Sequence, residues 1–94
     1  MLAAVVAALT ALPAGAQELN RGAVLALSCA GCHGTDGKSP SSMPALDGHD
    51  RVYLARTMKE FRSGERPSTV MGRIATGYSD DDIEALAAHF DRLR

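Results

Sequence analysis

The two cysteines of this 94-residue chain fall in one short run, Cys29-Ala30-Gly31-Cys32, and His33 follows directly. Cys-x-x-Cys-His is the attachment pattern for a c-type haem. Two thiols at this spacing reach the two vinyl groups of one porphyrin, and the next residue places an imidazole under the iron. Other readings of the pair are weaker. A thioredoxin-like dithiol needs a strand before it and a helix opening at the first cysteine. Here an apolar helical stretch, Leu19 to Ala30, runs straight into the motif. A zinc site needs more ligands than one cysteine pair, and His49 and His89 lie far apart along the chain. A disulfide closing so short a loop adds little stability. One covalent haem c is therefore expected on Cys29 and Cys32, with His33 as an axial iron ligand.

The first twelve residues are apolar and uncharged, and Pro13-Ala14-Gly15-Ala16 after them is an A-x-A-like cleavage site. Residues 1–16 therefore read as a secretory signal peptide cut after Ala16, with an uncleaved anchor as the alternative. The apolar run is too short to span a membrane comfortably, so no membrane span is expected after cleavage. Export to the periplasm suits the motif, because c-type haem is attached outside the cytoplasm. Residues 17–94 remain as one small domain, and a core of that size gains from the apolar mass of a haem. The net charge of −1 is not that of a nucleic-acid binder.

Helical spacing predicts an all-α fold of three main helices plus a short one. The first covers Leu19 to Ala30, with Gly22 inside it as a site of close helix crossing. The loop Gly34 to Met43 is dense in turn formers. Pro44 after it has a free carbonyl, a suitable acceptor for the second ring N–H of a ligating His33. The second helix spans Arg51 to Ser63, with Asp50 as N-cap, Gly64 past its end, and Leu54, Met58 and Phe61 on a buried stripe. Arg51, Arg56, Lys59, Arg62 and Arg66 give this region a basic face; one of them, or Tyr53, is a candidate contact for a haem propionate. A short helix fits between Pro67 and Gly77. The last helix starts at Ser79 and buries Ile83, Leu86, Ala87, Phe90 and Leu93, with Phe90 as the candidate to pack on Gly22. His49 and His89 read as surface residues.

The second axial ligand is expected to be Met71, which sits well downstream, with Gly72 beside it for close backbone approach. Met43 is the alternative, although only ten residues separate it from His33. Met58 belongs to the core stripe. A thioether ligand raises the potential, and an iron with both axial sites filled suits outer-sphere electron transfer rather than oxygen or peroxide chemistry.

With these residues in view, the chain resembles a class I c-type cytochrome. The resemblance spans the Gly22 helix, Cys29 to Gly34, the loop Pro44-Ala45-Leu46-Asp47-Gly48 and the ending Ser79 to Phe90. The run Ser68-Thr69-Val70-Met71-Gly72-Arg73-Ile74-Ala75-Thr76-Gly77-Tyr78-Ser79 is more specific. It closely resembles the axial-methionine segment in the cytochrome subunit of flavocytochrome c sulfide dehydrogenase. That resemblance implies iron ligation by Met71; the single Cys-x-x-Cys-His motif, where the best-known members of that family have two haem domains, predicts one monohaem domain over residues 17–94. It also implies a FAD-containing flavoprotein partner that oxidises sulfide, and a downstream acceptor such as another c-type cytochrome. No catalysis is expected from the chain alone. Small residues near the haem edge, Ala30, Ser41, Ser42 and Gly72, would admit the flavin. The alternatives are a free single-haem carrier between respiratory or photosynthetic complexes, and a haem sensor or small peroxidase.

Overall fold

Ser79 and Asp82 close on each other at the start of the last helix, and the first helix and the helix over residues 51–63 pack against the helix they cap. The Ser79 hydroxyl accepts from the Asp82 backbone N–H at 3.1 Å, and the Asp82 carboxylate accepts from the Ser79 N–H at 3.0 Å. Two of the amides that a helix start leaves unpaired are thereby satisfied. In a computed structural model, which describes residues 3, 4, 9 and 13–94, the described residues form five α-helices and no strand. These are α1 (Ala14–Ala26), α2 (Ala30–His33), α3 (Arg51–Ser63), α4 (Met71–Ala75) and α5 (Asp80–Arg92), with a 3-10 turn at Thr35–Gly37. No helix among the described residues is long and apolar enough to cross a membrane. The leader expected over residues 1–16 falls mostly outside the described residues, although α1 already begins at Ala14.

Helix α5 is the centre. Ile83, Ala85, Leu86, Ala87, Ala88, His89 and Phe90 are all buried, because α1 covers one side of the helix and α3 the other. The core joins Ile83, Leu86, Ala87 and Phe90 of α5 to Ala26 of α1 and to Leu54 and Ala55 of α3. Met58 packs against the same cluster, as its place on the stripe implies.

Two expectations about the α1–α5 crossing need correction. A side chain added at Gly22 would meet the Ala85 carbonyl oxygen at 2.2 Å and the His89 Cβ at 3.0 Å, so the close approach is to Ala85 and His89, not Phe90. Ala85 and His89 are four residues apart and share a helix face, whereas Phe90 is rotated off it. Phe90 instead places its ring edge where a Gly37 side chain would be, 3.0 Å from that point, and so anchors the loop after α2. His89 is consequently a buried residue, 7 % exposed, and not a surface one. The first helix also stops earlier than Ala30. After Ala26 the chain tightens, with Leu27 N–H donating to Val24 O at 3.2 Å and Cys29 N–H to Ala26 O at 3.0 Å. Bonds of this shorter span are a common way to finish a helix.

Helix α3 has the boundaries that its caps predict. The Asp50 side chain accepts from Tyr53 N–H at 2.8 Å, and Gly64 leaves the helix in the left-handed region at φ 82°. Its basic residues are not simply solvated. Lys59 and Arg51 both reach Glu84 of α5, at 3.0 and 3.6 Å. Arg62 donates to Asp80 at 2.5 Å and to the Tyr78 carbonyl at 3.2 Å. Arg21 and Asp82 add an ion pair between α1 and α5. These pairs are partly exposed, so each contributes little to stability alone; together they fix the rotation of α3 against α5.

Candidate functional site

Cys29, Cys32 and His33 occupy one helical turn. His33 N–H donates to Cys29 O at 2.9 Å, and Cys32 N–H to the same oxygen at 3.2 Å. Residues at spacings of three and four share a face, so both thiols and the imidazole leave the same side of the backbone. Cys29 is half-buried, and burial pushes its thiol up from the usual range, with a smaller opposing effect from a hydrogen bond to Ser28. Cys32 is exposed. A redox dithiol needs a first cysteine with a lowered pKa; Cys29 goes the other way. Among the described residues no group of three His, Cys, Asp or Glu converges as a zinc site requires.

The loop behind this turn is shaped by its glycines. Gly34 adopts φ 83°, and a side chain there would strike the Lys38 carbonyl oxygen at 2.5 Å. Gly37 adopts φ 74° beneath Leu46 and Phe90, and its carbonyl accepts from Leu46 N–H at 2.9 Å. The loop therefore folds back and delivers Pro44 to the histidine. His33 Nδ1 lies 2.6 Å from the Pro44 carbonyl oxygen. That oxygen can only accept, so Nδ1 carries the proton and Nε2 keeps its lone pair for a metal.

Met71 opens α4 and is half-buried. Its position is fixed by a contact that the sequence reading did not use. The Ser68 hydroxyl accepts from the Gly72 N–H at 2.8 Å. A Gly72 side chain would sit 3.2 Å from that hydroxyl oxygen and 3.5 Å from the Phe61 carbonyl, so α4 is held closely against the end of α3. Met43 is 43 % exposed and lies beside Pro44, in the loop that serves the histidine. Val70 and Ile74, which flank Met71, also keep apolar surface exposed, at 49 and 44 %. Tyr53 is half-buried on α3, its ring stacked on His49 with centroids 4.4 Å apart. Ala30, Ser41 and Ser42 are exposed, and Gly72 is half-buried.

One hydrogen bond ties the two halves of the site together. The hydroxyls of Ser28, next to Cys29, and Tyr78, after α4, are 2.9 Å apart. Fifty residues separate them in sequence, and no local pattern announces the pair. A groove of about 640 Å³ runs along α3 between Arg51 and Glu65 and is also lined by Glu84 of α5; it takes in Arg51, Arg56, Lys59 and Arg62 but none of Cys29, Cys32, His33, Met43 or Met71.

The donor set fits a c-type haem. Two thiols and an imidazole with Nε2 free stand on one turn, a methionine stands at the head of a separately held helix, and apolar side chains flank that methionine. Comparison with known proteins points the same way. Residues 19–93 match the sequence pattern of the cytochrome c family. The chain is 47 % identical over 74 residues to the cytochrome subunit of sulfide dehydrogenase of Chlorobaculum tepidum, a match covering 79 % of this chain and 67 % of that protein. It is 37 % identical over 67 residues to cytochrome c-554(548) of Halomonas halodenitrificans, covering 67 and 81 % of the two chains. It is 36 % identical over 83 residues to cytochrome c4 of Pseudomonas aeruginosa, covering 87 % of this chain and 41 % of that one. The chain thus spans about two thirds of the first relative and less than half of the third.

Proposed function

The chain belongs to the cytochrome c family, and on that premise we propose that it is the haem-bearing subunit that takes electrons from the flavin of a sulfide-oxidising flavoprotein. Electron transfer is its role, and haem c is its cofactor. The observation that carries the finer reading is its likeness to a sulfide dehydrogenase cytochrome subunit. In this reading Cys29 and Cys32 would attach the haem, and His33 Nε2 and Met71 would hold its iron. When bound, the haem supplies one-electron Fe(III)/Fe(II) chemistry, with the thioether ligand favouring Fe(II).

Every other part is played by residues of this chain. Pro44 O holds the His33 ring in one orientation and strengthens the imidazole as a donor. Ser68 and Gly72 set the start of α4, where Met71 stands. Met43 is the lesser candidate, because its neighbour Pro44 is already committed to the histidine side. Tyr53 stands as a propionate contact. Partners are a FAD-containing subunit upstream and a c-type cytochrome downstream, in the periplasm.

The test is native purification from the periplasm, following haem absorbance and peptide-bound flavin through size exclusion, then assaying sulfide-dependent haem reduction. Co-elution in a larger complex with reduction by sulfide supports the reading. A haem-only monomer that sulfide and the flavoprotein fail to reduce overturns it in favour of a free electron carrier. That second reading has its own support, because the chain covers 81 % of cytochrome c-554(548). Rapid CO binding by the reduced native protein would point instead to a sensor or peroxidase with an open iron site.

A further inference from the structure

Tyr78 follows α4 and is tied to three other segments. Tyr78 and Cys29 both pack against the core cluster. The Tyr78 carbonyl accepts from Arg62 of α3 at 3.2 Å, and its N–H donates to the Ala75 carbonyl at 3.2 Å, closing the end of α4. Ala75 itself is fully buried. The hydroxyl of Tyr78 then lies 2.9 Å from that of Ser28.

The direction of that bond follows from the other contact of Ser28. Its hydroxyl donates to the Leu25 carbonyl at 3.0 Å. A hydroxyl carries one proton, so Tyr78 donates and Ser28 accepts. The Leu25 carbonyl is the one that a continuing α-helix would give to the Cys29 N–H. That N–H goes instead to Ala26 O, at 3.0 Å. The run of bonds from Tyr78 through Ser28 to Leu25 therefore lands on the break between α1 and α2, immediately before Cys29. It joins the end of α4 to the turn that carries both thiols and the imidazole, while Ser68 and Gly72 hold the head of α4 to α3.

We propose that Tyr78 is a positioning residue for the axial methionine: through Ser28 its hydroxyl holds α4 at a fixed distance from the haem turn, and so keeps the Met71 thioether on the iron. The inference rests on the reading of Met71 as a ligand given above. Of the links to the haem, two would be covalent, and the imidazole is steadied by the Pro44 carbonyl at 2.6 Å. The methionine is the link that depends most on where its segment is held.

The test is the rate of CO binding to the reduced holoprotein, since CO enters only when the methionine leaves, with the methionine–ferric charge-transfer band read in parallel. Tyr78→Phe should raise the rate about fivefold, the population change that one lost hydrogen bond allows, and the band should fade at a lower temperature. Ser28→Ala should raise the rate at least as much, and adding Tyr78→Phe to it should change nothing further, because the bond is already gone. Ser28→Thr keeps the hydroxyl and should bind CO like wild type. Leu93→Ala removes apolar packing just past α5 and touches neither hydroxyl. It should lower the urea midpoint and leave the CO rate unchanged, which separates positioning from general loosening. The proposal is overturned if Tyr78→Phe binds CO at the wild-type rate, if the two substitutions add, or if Leu93→Ala accelerates CO equally. A wild type that lacks the band, or that takes up CO at once, overturns the ligand reading and the proposal with it.

Discussion

Single atoms decide the most at Gly22. On helix propensity alone, alanine there should stabilise by about 1 kcal/mol. The Ala85 carbonyl oxygen, 2.2 Å from where the added carbon would sit, reverses that sign. Backbone cannot rotate aside as a side chain can, so Gly22→Ala should destabilise the protein by about 2 kcal/mol, read from urea unfolding. A stabilised variant would show that α1 and α5 do not cross as described. The need for a small residue at Gly22 was legible in the sequence, but its partner was not. The stripe Ile83, Leu86, Phe90 pointed to Phe90, whereas the contact is with Ala85 and His89, on a face that looks unremarkable because one residue is small and the other polar. The contact of His33 with Pro44 was the easier case, since a ligating imidazole needs an acceptor and a loop carbonyl stood within reach.

Among the elements, α4 is the most informative because it is too short to be stable alone. It has five residues, and the Ser68 hydroxyl bond to Gly72 N–H fixes its first turn. Ser68→Ala should cost about 1 kcal/mol, the usual value of a lost helix-start hydroxyl. If Met71 ligates the iron, the methionine–ferric charge-transfer band of Ser68→Ala should also vanish at a lower temperature than in wild type. Met71→Ala should abolish that band outright; its survival would move the ligand to Met43. Ser68 was visible in the sequence as a serine just ahead of a helical turn, and its role could have been read there. The end of α1 could not. Leu27 and Cys29 keep right-handed helical dihedrals, and the switch to shorter hydrogen bonds separates α1 from α2. The two ends of α3, by contrast, were fixed locally, by the Asp50 carboxylate at one end and the left-handed backbone of Gly64 at the other.

For the molecule as a whole, acid is the revealing variable. Burial holds His89 below its ordinary value, and the nearby charge of Arg92 pushes the same way, against a smaller opposing pull from Asp36. The folded protein therefore keeps this imidazole neutral while the unfolded chain protonates it near pH 6.5. Its contribution is complete above that pH and is lost as pH falls through it toward the lower folded value. Urea midpoints should fall between pH 8 and pH 5, and His89→Gln should flatten that decline even though it lowers stability at pH 8. Further acidification releases two carboxylates that folding holds low, Asp80 through its hydrogen bond to Arg62 and Asp82 through the Ser79 N–H. The all-helical architecture and the haem turn were legible because periodicity and spacing are local properties. The ion pairs of α3 with α5 and the joined hydroxyls of Ser28 and Tyr78 were not, since both depend on how distant segments meet. Those ion pairs also change what an approaching protein senses. Arg51 and Lys59 share the single carboxylate of Glu84, and Arg62 has Asp80, so beyond a few ångströms α3 presents less positive charge than its row of cations suggests. Long-range attraction toward this side is weakened but kept. Encounters there would be steered only in part by charge and retained by fit, at rates that added salt lowers modestly.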